Sequence, residues 1–89
     1  MKNLIDNLEL TLESNGTSER IIIPSDSKVL IETALDETDT YRLIKYSIFG
    51  KSNGRMISES AFQFYTETHS SIELQNNNYK PVSFKLSLV

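Results

Sequence analysis

The chain has 89 residues, a net charge of -3 and no cysteine, which bounds it to one small domain without disulfides, thiolate chemistry or sulfur-based zinc sites. An acidic balance gives no overall attraction to the nucleic-acid backbone, which rewards clustered Lys and Arg. No apolar run approaches the ~18 residues of a membrane span, and Met1 to Asn7 is too short and polar for a signal peptide, so a protein made and used in the cytoplasm is expected.

In chain order, Leu8, Leu10 and Leu12 alternate with Glu9, Thr11 and Glu13, the pattern of a half-buried strand. Asn15-Gly16 follows. Asn and Gly enter positive φ at least cost, so this dipeptide predicts a two-residue hairpin loop that sets Leu10 opposite Ile21 and Leu8 opposite Ile23. Pro24 lacks an N–H and ends the returning strand. From Lys28 to Leu35, Val29, Ile31, Thr33 and Leu35 alternate. Their β-branched members favour strand over the short helix that Ser25 or Asp26 would cap.

A longer hairpin is expected from Tyr41 to Thr66. A two-residue loop at Asn53-Gly54 would mismatch the apolar faces, whereas a loop of Ser52-Asn53-Gly54 brings Ile44 opposite Phe62, Tyr46 beside Ser60 and Ile48 opposite Ser58. Gly54 then takes the left-handed position of a G1 bulge. Leu43, Phe49, Ile57 and Tyr65 would point to the other side, so the hairpin is either partly covered on both sides or presents an apolar surface to a partner. Ile72 and Leu74 mark a short strand, Gln75 to Pro81 reads as a loop, and Val82, Phe84, Leu86 and Leu88 alternate with Ser83, Lys85 and Ser87 in a last strand. Seven antiparallel strands with frequent turns and no amphipathic helix imply an all-β fold, a small sandwich of immunoglobulin-like or jelly-roll-like type, with a Greek-key barrel as the alternative.

Chemistry-bearing residues are sparse. His69 is the single histidine; beside Glu67 and Ser70 it reads as part of a polar connection, since a triad needs convergence in space and an oxyanion hole. Asp36-Glu37-Thr38-Asp39, with Glu32 nearby, lacks the spacing and glycine of an EF-hand. Glu9 and Glu13 read as exterior charges of a strand. Asn15-Gly16-Thr17 matches the glycosylation pattern, which its turn role already explains. No metal site or cofactor is expected. Lys45, Lys51 and Arg55 give the second hairpin a basic side. Tyr41, Tyr46, Phe62, Phe64 and Tyr65 are the rings a domain without tryptophan needs for its core.

The expected function is therefore a non-enzymatic structural or accessory subunit acting by protein–protein contacts. The composition suits a phage-type protein such as a capsid decoration or tail accessory subunit, incorporated into a virion. The expected contact residues are Leu43, Phe49, Tyr65, Ser83, Lys85 and Ser87, the last three on a C-terminal strand placed at a sheet edge open to strand addition. Partners would be capsid or tail proteins or further copies of the chain, with no small-molecule substrate. One alternative is an acidic inhibitor of a host enzyme. The other is a barrel binding single-stranded nucleic acid, with aromatics exposed beside Lys45, Lys51 and Arg55.

Overall fold

The computed structural model describes residues 2–4, 6–66 and 69–89, the side chains of residues 2, 69 and 70 excepted. Among these residues the chain forms β1 (Lys2–Asn3), β2 (Asn7–Leu12), β3 (Ile21–Ile22), β4 (Lys28–Thr33), β5 (Tyr41–Ser47), β6 (Gly50–Lys51), β7 (Arg55–Ile57), β8 (Ala61–Tyr65), β9 (His69–Asn76) and β10 (Val82–Leu88). There is no helix among them, and so none long and apolar enough to cross a membrane.

The first sheet has the order β1-β3-β9-β5-β6, with β7 also on β5; the second has the order β2-β10-β4-β8. Pairing is antiparallel except between β1 and β3. The chain changes sheet at almost every connection, from β2 to β3, β4, β5 and then, after the β5–β7 unit, to β8, β9 and β10. That alternation is the jelly-roll path, so the fold is the expected all-β sandwich in its jelly-roll-like form. The barrel alternative is excluded by the two separate sheets.

Alternation within each strand builds the core. Val82, Phe84 and Leu86 of β10 pack with Val29 and Ile31 of β4, and across the sandwich stand Tyr41 and Leu43 of β5 and Ile72 and Leu74 of β9. The strand reading of residues 28 to 35 holds for β4, which ends at Thr33.

Three strand pairings differ from the sequence expectation, all for one reason: partners are chosen across the whole chain and not by the nearest turn. Asn15, at φ 57, and Gly16 do form a turn, closed by the Gly16 N–H to Glu13 O bond of 2.8 Å. It is a corner between sheets, however. Leu10 and Leu8 lie opposite Phe84 and Leu86 of β10, while Ile21 pairs with Ile72.

In the second unit the chain reverses at Ile48-Phe49, because Ser47 pairs with Gly50 and Tyr46 with Lys51. Gly50, at φ +108, makes that reversal possible. Ser52-Asn53-Gly54 is not the loop. It is a bulge on the returning strand, since Leu43 pairs with Arg55 and one extra residue is inserted relative to the Tyr46–Lys51 pair. Gly54 keeps the expected positive φ, at 88. Ile44 therefore faces Glu73, not Phe62, and Phe62 lies opposite Ile31 in the other sheet, with Phe64 opposite Val29.

Finally, β10 is not an edge. It is bonded to β2 on one side and β4 on the other, so its backbone has no capacity left for a partner strand, and Ser87→Pro would break a central ladder. The loop expected from Gln75 to Pro81 begins two residues later, since β9 runs on through Gln75 to Asn76. Asn76 closes β9 with its side chain 1% exposed, and donates from Nδ2 to the carbonyls of Leu12 (3.2 Å), Glu13 (3.0 Å) and Lys80 (2.8 Å).

Candidate functional site

The most unusual surface feature is the reversal between β5 and β6. Tight hairpin loops ordinarily carry Asn, Asp or Gly, but here Ile48 and Phe49 occupy it and stand 84% and 85% exposed. The Phe49 N–H bonds the Ser47 Oγ at 3.1 Å, which fixes the backbone of the loop while both apolar side chains point away from the protein.

The hairpin beneath this tip is basic. From residue 42 to residue 58 the chain carries Arg42, Lys45, Lys51 and Arg55 and no Asp or Glu, although the whole chain has a net charge of -3. Lys45 and Arg55 share the inward register with Tyr41, Leu43 and Ile57. They leave the sandwich at its side, where Lys45 Nζ lies 5.0 Å from the Phe64 ring centroid and Arg55 Cζ lies 5.0 Å from that of Phe62. The two rings stack on one another with centroids 6.3 Å apart. Burial, and then the Arg55 charge, hold the Lys45 ammonium below its ordinary pKa. Among the described residues no carboxylate pairs with either cation.

On the outer face of the same sheet, the Tyr46 hydroxyl bonds the Glu73 carboxylate, and the Arg20 guanidinium lies over the Tyr46 ring at 3.9 Å. This stack holds β5, β9 and the segment before β3 together and leaves the tip as the projecting part.

The expected contact residues are dispersed. Phe49 is at the tip. Leu43 is 1% exposed and belongs to the core; β5 pairs with β9, placing Leu43 beside Leu74 on the face that packs against the second sheet, which removes it as a contact. Tyr65 is 46% exposed on β8. Ser83 and Lys85 are exposed on the outer face of the second sheet, and Ser87 there is half-buried. Lys85 stands in register between Glu9 and Glu32, leaving the middle of that face with a small net negative charge. The side chains of Glu67, His69 and Ser70 lie outside the described residues. Among the described residues no group of three or more His, Asp or Glu is placed to hold a metal ion.

Sequence reasoning paired Phe49 with Leu43 and missed Ile48, which it turned inward opposite Ser58. The available signal was local: Ile48-Phe49 interrupts the alternation of β5 and is followed at once by Gly50. Of the aromatics beside Lys45 and Arg55, Phe64 is only 7% exposed and Phe62 is half-buried, so these two rings present little open face for a base.

The sequence matches no protein-family profile and no curated protein. Solved structures do resemble the fold. A de novo designed double-stranded β-helix superposes with a TM-score of 0.61 at 12% identity, over 93% of this chain and 97% of that one. The SPBc2 prophage-derived protein YomS gives 0.60 at 9% identity, over 93% and 92% of the two chains. PliG of Aeromonas hydrophila, a periplasmic inhibitor of g-type lysozyme, gives 0.57 at 5% identity, over 99% and 96%. At these identities the likeness is one of fold alone, and the designed neighbour is a double-stranded β-helix.

Proposed function

We propose that this chain is a non-enzymatic binding subunit that docks to a protein partner through the hairpin tip Ile48-Phe49, as an accessory component of a phage-type assembly. The observation that carries the reading is the exposure of two adjacent large apolar side chains, 84% and 85%, on a loop type that normally holds polar residues. An aromatic anchor flanked by an apolar neighbour is the usual composition of a binding hot spot, because its burial contributes much at small entropic cost. Lys51 beside the tip favours a recess with an acidic rim. The prophage origin of one protein of the same fold supports the accessory role.

A second reading, inhibition of a host enzyme, draws on a specific feature. A projecting tip can enter an active-site cleft, and one protein of this fold inhibits g-type lysozyme.

Phe49→Asp tests both readings. The tip supports no core contact, so the thermal midpoint should move little, by about 0.5 kcal/mol or less in stability. The partner recovered from the source with the wild-type chain should be lost with Phe49→Asp and retained with Tyr79→Asp, a control at a residue 92% exposed at the opposite end of β5. Titration against g-type lysozyme separates the two: inhibition abolished by Phe49→Asp establishes the inhibitor role. A partner that binds wild type and Phe49→Asp equally would reject the tip as the docking element.

A further inference from the structure

We infer that the open edge of β8 accepts an extended segment of another protein as an added strand, and that this segment carries carboxylates at alternate positions to meet Lys45 and Arg55.

The edge is available on one side only. β8 is bonded to β4, and among the described residues no strand lies on its other flank. Which of its backbone groups face outward follows from the ladder. The Thr33 N–H bonds Ser60 O at 2.9 Å and the Thr66 N–H bonds Ser27 O at 2.8 Å. In the β4–β8 register these fall on the same alternate set as Ile31–Phe62 and Val29–Phe64. In an antiparallel ladder the residues of that set spend both backbone groups on the neighbour, and the residues between them point theirs away. Phe62 and Phe64 are thus bonded into the sheet, whereas the N–H and C=O of Ala61 and Gln63 face outward.

This edge also lacks the protections that the others have. Ala61-Phe62-Gln63-Phe64-Tyr65 contains no charge, proline, glycine or bulge. On the same side of the sandwich, the first sheet ends in β6 and β7, interrupted by the Gly54 bulge. At the far side, β1 and β3 are two residues each and β2 carries Glu9.

Charge selects the occupant. Residues of an added strand that pair with Phe62 and Phe64 share their face and point toward the gap between the sheets. There they meet Arg55 over Phe62 and Lys45 over Phe64, each 5.0 Å from its ring, and neither has a carboxylate partner among the described residues. Successive inward positions on a strand are two residues apart, so carboxylates at alternate positions reach both cations. A second copy pairing β8 to β8 would instead bring two sets of Lys45 and Arg55 together, which like-charge repulsion opposes.

The test uses the full chain and a short synthetic peptide alternating Glu with Val, followed by amide spectra and titration calorimetry. Saturable binding with slowed amide exchange at Ala61 and Gln63 is expected, and a Lys–Val peptide should not bind. Lys45→Gln/Arg55→Gln should weaken the Glu–Val peptide about tenfold or more. Gln63→Pro removes an outward N–H without touching the β4 ladder, so it should keep the fold and lose the peptide; should it fail to fold, the exchange pattern of the wild-type chain decides. The proposal is overturned if neither peptide binds at millimolar concentration, if both bind alike, or if oligothymidine displaces the peptide from the same amides. It is equally overturned if Lys45→Gln/Arg55→Gln binds unchanged but self-associates, which would make the cations guards of the edge. Phe49→Asp should leave peptide binding intact, separating this site from the hairpin tip.

Discussion

Tyr41 and Phe84 meet edge to face across the sandwich, with ring centroids 5.1 Å apart and planes at 76°. One ring comes from β5 and the other from β10, so this contact joins the middle of the two sheets. Both residues are essentially buried, at 0% and 2% exposure. Phe84→Ala should cost about 3 to 5 kcal/mol, the range for removing a ring from a packed core. That is a large share of the total stability of a domain of this size, on the order of 5 to 15 kcal/mol. Urea denaturation reads the loss directly.

Tyr41→Phe should behave in the opposite way. The Tyr41 hydroxyl is buried without a hydrogen-bond partner among the described residues, and burial, with the Glu59 charge second, pushes its pKa far above the ordinary tyrosine value. Removing a polar atom that bonds nothing relieves its desolvation penalty while the ring stays in place. The variant should be as stable as the wild type or more so, by up to about 2 kcal/mol. A clear fall in the denaturation midpoint would show that the hydroxyl has a partner in solution.

Asn76→Ala should destabilise by about 2 kcal/mol or more, since a buried carbonyl left without its donor costs about 1 to 3 kcal/mol. Asn76→Asp should be worse. Besides losing the donor to Leu12, Glu13 and Lys80, it would set a carboxylate against their carbonyl oxygens. The Asn78 backbone and side-chain N–H groups, which donate to Asn76 Oδ1 at 3.0 and 2.8 Å, are too few to offset that repulsion. Comparing thermal midpoints of the two variants checks the order.

Gly54→Val should cost roughly 1 to 3 kcal/mol, because a β-branched residue is strained at positive φ. An added Cβ would also lie 2.8 Å from Arg42 Cδ and 2.9 Å from its Cγ. The bulge should unravel locally, so amide exchange at Lys45 and Ser52, joined by the Ser52 N–H to Lys45 O bond of 2.9 Å, should quicken before global unfolding. Asn15→Asp, at a position where Asp also tolerates φ 57, should matter little.

The Asp36, Asp39 and Lys80 cluster makes a definite pH prediction. Lys80 donates to the carboxylates of Asp36 and Asp39, the latter at 2.8 Å. The Lys80 hydrogen bond, with the Asp36 backbone second, holds the Asp39 pKa below its ordinary 3.8. Hydrogen bonds to Asp36 and then Asp39 hold Lys80 above 10.5. A depressed carboxylate contributes stability above its unfolded pKa and loses it as pH falls through the folded value; a raised lysine contributes below its unfolded pKa and loses it as pH rises through the folded one. The contribution should be flat between these limits and, at an exposed site, small. In a carbon-detected titration, Lys80→Met should move the Asp39 midpoint upward toward 3.8.

Strand identity was legible wherever one face is buried. In Leu8 to Leu12, Val29 to Thr33 and Val82 to Leu88, side chains alternate between core and solvent, so the period of two in the sequence is imposed by burial. The positive φ of Asn15 and Gly54 was legible too, because few residues tolerate it. Strand pairing was not. A turn dipeptide shows that the chain reverses, but whether the next strand lies beside the last or crosses to the other sheet depends on which distant strand buries its apolar face best. Thus Leu10 found Phe84 and Ile21 found Ile72. The same long-range choice turned Leu43 inward, placed β10 in the middle of its sheet, and left Ile48-Phe49 and the β8 edge facing outward. Local sequence determines where backbone can turn and which face is apolar, whereas the open surfaces are what remains after all pairings are made, and only the tertiary structure decides them.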